Sequence, residues 1–405
     1  MNRRSLLSSR TAALASALLA SSLVAGCGLL GSEGSQAPSG KSFTVAAAGD
    51  ILIHTPLVEQ ARDDALAKGG DGYDFDAVMA GVQPVISKAD LAVCHLEPVL
   101  GEPEGPFRSF PDFLVPPQLA DSIKGVGYDT CSTASNHVLD HGPAGVERTL
   151  DVLDEAGLQH TGSARSRKEA DTPLIMDVKG VKVAQLSFAY GFNGRELPED
   201  KPWLANRTSF EAIARAEERA RDAGADVVLL SIHWGQEHRP DPSAGQLALG
   251  RRIAEETGID LVIGHHAHVV QPMEKVDGTW IAYGLGNQVA RHDVPTGLTE
   301  EGAIGWFEFS ERDGEWHVEA RFVPTLVDIP PAPETDAADG EPQELTGGVT
   351  DHRLVDVARE LDDPDGLGEV RRARYRLAFE RTKGTLLNRG AADDGLAPLR
   401  EVPAG

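Results

Sequence analysis

Residues 209–233 read SFEAIARAEERARDAGADVVLLSIH and contain a helix–strand unit from which the fold class can be predicted. In the first half, charged residues of both signs surround apolar ones at helical spacing, and Ser209 can cap the N-terminus, which predicts a helix over 209–223. In the second half, the apolar run 226–232 predicts a buried strand, with His233 at its carboxyl end. A helix followed directly by such a strand is typical of a layered α/β domain.

Short apolar runs of the same kind recur along the chain and predict further strands. They lie at 43–48, 90–96, 128–133, 181–189, 260–263, 280–285, 304–309 and 317–322. Helical spacing returns at 145–156 and 244–257. Because no period of 20–50 residues repeats, a solenoid or a propeller is excluded. The sequence therefore predicts one α/β domain over 42–328.

Polar side chains cluster at the carboxyl ends of five predicted strands. The clusters are Gly49-Asp50, Leu96-Glu97, Ser135-Asn136-His137, Ile232-His233 and Gly264-His265-His266-Ala267-His268. Each alone has a structural explanation, such as a turn, a helix cap or a hydrogen-bonded histidine, but in α/β sheets these positions converge on a ligand crevice. Carboxylates, a carboxamide and imidazoles without a thiolate suit Mn, Fe, Zn or Mg. The five clusters together predict a divalent-metal site with enough ligands for two cations.

Six motifs, in this order, resemble those of the CapA, or poly-gamma-glutamate capsule biosynthesis, family. They are Gly49-Asp50, HLEP at 95–98, ASNHVLDHG at 134–142, HWGQE at 233–237, GHHAHVVQ at 264–271 and YGLGN at 283–287. The family is similar to calcineurin-like metallophosphoesterases. The resemblance implies a four-layer α/β/β/α metallophosphoesterase-like sandwich with a dinuclear metal site, followed here by a C-terminal helical segment.

The resemblance also implies roles for individual residues. The implied metal ligands are Asp50, Glu97, Asn136, His233, His266 and His268. Glu97 stands at the position of a bridging carboxylate, Asn136, His233 and His266 would hold one cation, and His268 would lie on the other. His137 would protonate a leaving oxygen, and Asp140 would orient its ring.

Four further residues are candidates for substrate binding. Trp234 and Glu237 could line the crevice, or could merely pack and cap, and Asn287 ends the last motif. The sequence departs from the superfamily where Asp50-Ile51-Leu52 replaces Asp-x-His, an imidazole that His54 could replace only in part. It also departs where His95 replaces the usual Asn.

The N-terminal residues resemble an export signal. Residues 1–10 carry three arginines, and the apolar run 11–24 is too short to span a bilayer. The run ends in Val24-Ala25-Gly26-Cys27, which resembles a lipobox, so we expect a signal peptide over 1–26, lipidation of Cys27 and a flexible tether over 27–41; the alternative is a plain signal peptide cut nearby. Arg3-Arg4 resembles a twin-arginine signal, which leaves Sec and twin-arginine export open. The expected location is the extracytoplasmic face of the cell membrane.

Composition changes after the predicted domain. Residues 329–350 are rich in Pro, Glu, Asp and Gly and predict a linker or surface loop, residues 351–390 regain helical spacing, and 391–405 predict a disordered tail. Cys94 and Cys131 lie inside apolar runs, which is typical of buried free thiols, although a bridge between neighbouring strands remains the alternative.

Charge and motifs together suggest three functions. The chain has 63 acidic and 38 basic side chains, a net charge of −25, which argues against nucleic acid as a partner. The first hypothesis is an envelope lipoprotein acting in synthesis, export or retention of an anionic polymer such as poly-gamma-glutamate, together with membrane polymer-synthesis partners. The second is a surface metal-dependent hydrolase, and the third is a non-catalytic polymer-binding module.

Overall fold

The computed structural model describes residues 40–329, 351–363 and 366–400. The predicted signal peptide, the lipidation of Cys27, nearly all of the tether and linker, and the last five residues of the tail lie outside these residues. Within the described part of the chain, no helix combines the length and the apolar character that crossing a membrane requires.

Strands and helices alternate along the described chain. The strands are β1 (Ser42–Leu52), β2 (Leu91–Leu96), β3 (Val99–Leu100), β4 (Leu114–Val115), β5 (Thr130–Ser132), β6 (Gln159–Thr161), β7 (Leu174–Val178), β8 (Val181–Ala189), β9 (Val227–His233), β10 (Leu261–His265), β11 (Met273–Val276), β12 (Thr279–Ala282), β13 (Asn287–Ala290), β14 (Glu301–Arg312), β15 (Glu315–Asp328), β16 (Arg353–Asp356) and β17 (Ala397–Pro398). The helices are α1 (Thr55–Ala67), α2 (Asp76–Met79), α3 (Gln83–Ile86), α4 (Leu119–Val126), α5 (Gly142–Glu155), α6 (Arg167–Asp171), α7 (Phe210–Asp222), α8 (Ala244–Glu256), α9 (Val357–Asp362) and α10 (Glu369–Leu386).

Two large sheets form the centre of the domain. The first has the order β16-β15-β14-β1-β2-β5-β6, with β13 also paired to β1 and β17 to β15. The second has the order β11-β12-β10-β9-β8-β7. β1, β2 and β5 run parallel in the first sheet, as do β12, β10, β9 and β8 in the second. The carboxyl ends of these parallel strands therefore lie at one edge of each sheet.

Three hydrophobic cores separate four layers. Side chains alternate along a strand, so Val45 faces a core shared with Val183 and Leu229 of the second sheet, while Ala46 faces the helices on the outer side of the first. The outer face of the second sheet packs against α7 and α8, with Ile213 in that core. Helices, sheet, sheet and helices form the predicted α/β/β/α sandwich, which is confirmed.

The helix in the opening stretch has the predicted cap. The Ser209 side chain accepts a hydrogen bond from the Ala212 backbone N–H, and α7 follows directly. This contact satisfies one of the free backbone donors at the helix start.

The C-terminal region contains more β structure than expected. Residues 353–356 form β16 against β15 instead of continuing a helical segment. The predicted disorder is wrong over 391–400, because Ala391 and Leu396 are buried and the Leu399 backbone N–H donates to Phe322 O at 2.8 Å. Apolar burial and strand pairing together hold this segment on the domain.

The two cysteines of the domain form a disulfide. Cys94 and Cys131 are register partners on the neighbouring strands β2 and β5, with their Cα atoms 4.5 Å apart. The expectation of buried free thiols is therefore wrong, and the alternative, a bridge between neighbouring strands, is confirmed.

Candidate metal centre

The polar clusters meet because glycine lets backbones approach closely at the strand ends. A Cβ atom on Gly49 would lie 2.1 Å from Gly286 O, and one on Gly264 would lie 2.0 Å from Tyr283 O. Neither position can therefore carry a side chain without displacing the backbone of 283–286. The glycines bring the ends of β1 and β10 onto the same short loop, where Asp50 follows Gly49.

Four buried side chains form the first group of possible ligands. Asp50, His95, Glu97 and His233 each offer one ligand atom, and these atoms lie within 4.8 Å of one another. Motif reasoning noted His95 only as a departure from the family. Its signal was its position at the carboxyl end of the predicted strand 90–96, next to the cluster Leu96-Glu97.

A second group shares Glu97 with the first. Glu97, His266 and His268 also have ligand atoms within 4.8 Å of one another. The resemblance implied different cations for His266 and His268, whereas the structure groups these two imidazoles. Both histidines have positive φ angles, 89° and 53°, which non-glycine residues adopt infrequently and which concentrate at functional sites.

The carboxylate of Glu97 fits a cation site. Both of its oxygens are buried without a hydrogen-bond partner among the described residues, and Oε1 lies 3.8 Å from the Nε2 atoms of His233 and His268. His266 Nδ1 is likewise buried without a partner. Buried polar atoms are normally hydrogen-bonded, so a carboxylate left open among imidazoles is compatible with divalent metal binding. A divalent cation there would act as a Lewis acid toward a phosphoryl or carbonyl oxygen.

Burial keeps most of these imidazoles neutral, the form that ligates a metal. It lowers the pKa of His266 to about 3 and those of His95 and His233 well below their ordinary range. Burial also raises the pKa of Glu97 to about 7.

Asp50 and His268 form the charged pair of the site. Burial alone would raise the pKa of Asp50, but hydrogen bonds from His265 and His268 hold it well below its ordinary range. Burial alone would lower the pKa of His268, yet the charges of Glu97 and Asp50 raise it to about 10. A metal would have to displace the His268 proton, since ligands bind deprotonated.

Asn136 and His265 lie beside these groups. Asn136 Oδ1 is 2.9 Å from His233 Nε2, and its Nδ2 donates to Asn193 Oδ1 at 3.1 Å. The ligand role of Asn136 stays a prediction. His265 Nδ1 is 3.1 Å from Asp50 Oδ1, and its ring stacks on that of His95 at 4.0 Å. His265 thus contacts both Asp50 and His95.

His137 and Asp140 form a hydrogen-bonded pair at the crevice. His137 Nδ1–H donates to Asp140 Oδ2 at 2.7 Å, because an ionised carboxylate can only accept. Asp140 is fixed in turn by the Phe113 backbone N–H at 2.9 Å and by Arg195 Nη1 at 3.2 Å. The other ring nitrogen, His137 Nε2, lies 3.5 Å from Asn193 Nδ2; the catalytic role of the pair stays a prediction.

The four candidate substrate-binding residues occupy different environments. Trp234 is buried, stacks on Tyr283 and donates its indole N–H to Tyr283 O at 2.9 Å, so the expectation that it lines the crevice is wrong. Asn287 is fully buried, and its Oδ1 lies 3.0 Å from His268 Nδ1, so it supports a ligand and is not open to substrate. Both side chains are engaged by the protein itself.

His54 and Glu237 are placed differently. His54 is buried with Nδ1 2.9 Å from Leu52 O, outside both ligand groups, and therefore does not replace the missing imidazole of the superfamily motif. Glu237 is exposed on the loop after β9. Its substrate-binding role stays a prediction.

One loop beside the site had no signal in the sequence. Residues 190–195 follow β8, where the Tyr190 ring lies 4.7 Å from that of His266 and Asn193 contacts Asn136. Arg195 joins this loop to Asp140. These residues reach the crevice through long-range packing, which spacing along the chain does not reveal.

Comparison with known proteins identifies a family. The family model described as bacterial capsule synthesis protein PGA_cap matches residues 44–292. The chain is 26% identical over 257 residues to the capsule biosynthesis protein CapA of Bacillus anthracis, covering 62% of this chain and 60% of that one. It is 31% identical over 169 residues to the PGA biosynthesis protein CapA of Bacillus subtilis, covering 41% and 44%. The chain thus spans about half the length of these curated relatives.

Among solved structures, the chain is similar to the calcineurin-like phosphoesterase YfkN of Bacillus subtilis. The similarity covers 85% of this chain and 98% of that one, with 16% identity and a TM-score of 0.39.

Proposed function

Since this chain belongs to the bacterial capsule synthesis protein PGA_cap family, we propose that it acts in the synthesis, export or retention of an anionic envelope polymer of the poly-gamma-glutamate type. It would do so through a centre in which Asp50, His95, Glu97, His233, His266 and His268 would hold divalent cations, with Glu97 common to both groups of ligands. The names of the Bacillus relatives support the polymer class. Mn, Fe, Zn and Mg all suit the nitrogen and oxygen donors.

The observation that carries this proposal is the Glu97 carboxylate, which lies within its group of imidazoles and has no hydrogen-bond partner in the part of the chain that the structure describes. A net charge of −25 repels a polyanion, so the folded surface as a whole is poorly suited to bind one. Cations in the crevice would supply local positive charge at one place. The polymer would then be bound at the metal centre rather than along the surface.

The metal centre is tested by replacing two of its ligands. His266→Ala with His268→Ala should remove most of the divalent metal that co-purifies with residues 42–405, measured by elemental analysis, and should abolish polymer formation in cells. The matched control is His160→Ala with His317→Ala, two histidines outside the ligand groups. Metal content that stays at the wild-type level in the ligand variant would refute the site.

A second candidate function, metal-dependent hydrolysis of a phosphoester or glutamyl bond, is favoured by the His137–Asp140 pair. A positioned general acid typically contributes 10²- to 10⁴-fold to a rate. His137→Asn should therefore keep the metal content of the wild type while its turnover falls by about that factor. His141→Asn, four residues further along the chain, should keep both the metal content and the turnover. If His137→Asn turns over substrate as fast as the wild type, catalysis by this pair is contradicted, and non-catalytic polymer binding is the function that is left.

We also place the protein at the extracytoplasmic face of the membrane, held by a lipid on Cys27. The lipobox-like residues 24–27 support this location. Cys27→Ser should release the protein from the membrane fraction, because one signal for anchoring would be lost. Unchanged fractionation of the variant would contradict the anchor.

A further inference from the structure

The C-terminal helix α10 lies outside the region matched by the family, yet two of its arginines reach a loop beside the metal centre. Arg374 Nη1 donates to Glu301 Oε1 at 2.5 Å, and Arg381 Nε donates to Glu301 Oε2 at 3.0 Å. Glu301 is only 3% exposed, so this is a buried carboxylate held by two guanidinium groups.

The same two arginines also fix the backbone of this loop. Gly297 O accepts from Arg374 Nη2 at 3.0 Å and from Arg381 Nη2 at 2.5 Å. Inside the loop, Glu300 accepts from the Gly297 backbone N–H at 2.5 Å and from Thr299 Oγ1 at 2.8 Å. Residues 297–301 are therefore hydrogen-bonded to α10 at both ends of the loop, and further hydrogen bonds within the loop hold its shape.

The loop in turn holds the side chain that orients a predicted ligand. Thr299 O accepts from Asn287 Nδ2 at 2.8 Å, which aims Asn287 Oδ1 at His268 Nδ1, 3.0 Å away. Asn287 Nδ2 also lies 3.3 Å from His268 O. Since Nδ1 of His268 is occupied in this way, its Nε2 is turned toward Glu97.

We propose that Arg374 and Arg381 are positioning residues for His268, and that α10 sets the metal affinity of the centre through Glu301, Thr299 and Asn287. This inference rests on the proposed metal centre. Partners of a metal-ligating histidine's second nitrogen fix its ring, and their loss typically weakens metal binding 10- to 100-fold. The helix thus adds to the family domain a support for one ligand.

The test compares two arginines of the same helix in the protein from residue 42 onward. Arg374→Gln removes the contacts to Glu301 and Gly297, whereas the control Arg371→Gln removes a different ion pair, to Asp328 at 2.8 Å. We expect Arg374→Gln to bind Mn²⁺ or Zn²⁺ about tenfold more weakly in a chelator competition. We expect the control to keep the wild-type affinity.

A measurement on the metal-free protein separates this inference from the proposed function. Hydrogen–deuterium exchange should become faster at 266–269 and 297–301 in Arg374→Gln but not in Arg371→Gln. If the wild type binds no metal while this exchange difference is found, the proposed metal function fails and the support of His268 stands. Wild-type affinity together with wild-type exchange in Arg374→Gln would overturn the inference.

Two further variants make the test robust. Where Arg374→Gln fails to fold, Arg381→Gln replaces it, because the Arg381 side chain is 33% exposed and its loss is better tolerated. Asn287→Ala combined with the arginine variant completes a double-mutant cycle on metal affinity. If α10 acts through Asn287, the arginine change should weaken metal binding little further in a protein that already carries Asn287→Ala. Fully additive losses of affinity would refute a connection through Asn287.

Discussion

Glu97→Gln should make the metal-free protein more stable while removing its response to metal. The carboxylate lies fully buried with neither oxygen hydrogen-bonded within the described residues. Burial raises its pKa from the ordinary 4.5 to about 7, so folding favours the protonated form. Stability from this group is therefore complete below pH 4.5 and is lost as the pH rises through 7.

The magnitude follows from the two pKa values. Their difference of about 2.5, at about 1.4 kcal/mol per pH unit, gives a penalty of about 3 kcal/mol at pH 8. Gln is neutral at every pH and nearly the same shape, so the variant avoids this penalty; it also loses the attraction between the Glu97 charge and protonated His268, which offsets part of the gain. Metal at 100 times its Kd would stabilise the wild type by about 2.7 kcal/mol, and the variant, lacking the shared ligand, should gain little.

The assay is urea denaturation at pH 8 with chelator and then with Mn²⁺ or Zn²⁺. We expect the variant to exceed the wild type in chelator, and only the wild type to gain on metal addition. The matched control is Glu217→Gln, another buried carboxylate, which is paired with Arg221 at 3.3 Å and lies outside the ligand groups. It should lose stability and keep the metal response. A Glu97→Gln variant that is less stable than wild type in chelator would refute the reasoning.

Three further perturbations test the structure. Cys94→Ala with Cys131→Ala should lower the unfolding free energy by about 4 kcal/mol, because the bond joins residues 37 apart in sequence; equal stability to urea would contradict the disulfide. His352→Asn should make the loss of stability in acid shallower, by up to about 1.4 kcal/mol per pH unit. Burial lowers the pKa of His352 to about 4, so the neutral folded form loses stability as the pH falls from 6.5 toward 4, and an unchanged slope in denaturation curves would show that His352 does not contribute. Gly49→Ala should cost about 1–3 kcal/mol and weaken metal binding, since its Cβ would lie 2.1 Å from Gly286 O; wild-type melting and metal titration would contradict the close approach.

Much of the fold could be predicted from local pattern. The helix–strand unit at 209–233 appears as α7 and β9, because capping, helical spacing and an uninterrupted apolar run are local properties. The C-terminal tail was misjudged for the opposite reason. Leu396 is one of two leucines in a short, mostly small and polar stretch, and it is buried in the same core as Phe322 of β15, more than 70 residues away in sequence. Composition alone cannot register a contact of that kind.

The candidate site, too, could be predicted only where local sequence features determine it. The donor residues could be found because polar side chains at strand ends identify themselves by type and position, as Asp50 and His233 do. Their environments could not be found in this way. Trp234 and Asn287 share motifs with those donors, yet their side chains turn into the core, where Tyr283 and His268 engage them. Motif membership therefore predicts proximity to the site better than it predicts orientation.

Glu97 shows why the chemistry of a residue depends on how the chain packs around it. In the sequence it is one carboxylate among 63 acidic residues. Only the packing of β1, β2, β9 and β10 shows that it is excluded from water while no donor from the described part of the chain reaches it. A buried carboxylate of this kind destabilises a protein that has no further use for it. The cost is understandable if the residue is retained to hold a cation, and for this reason the stability of Glu97→Gln in chelator bears on function as well as on folding.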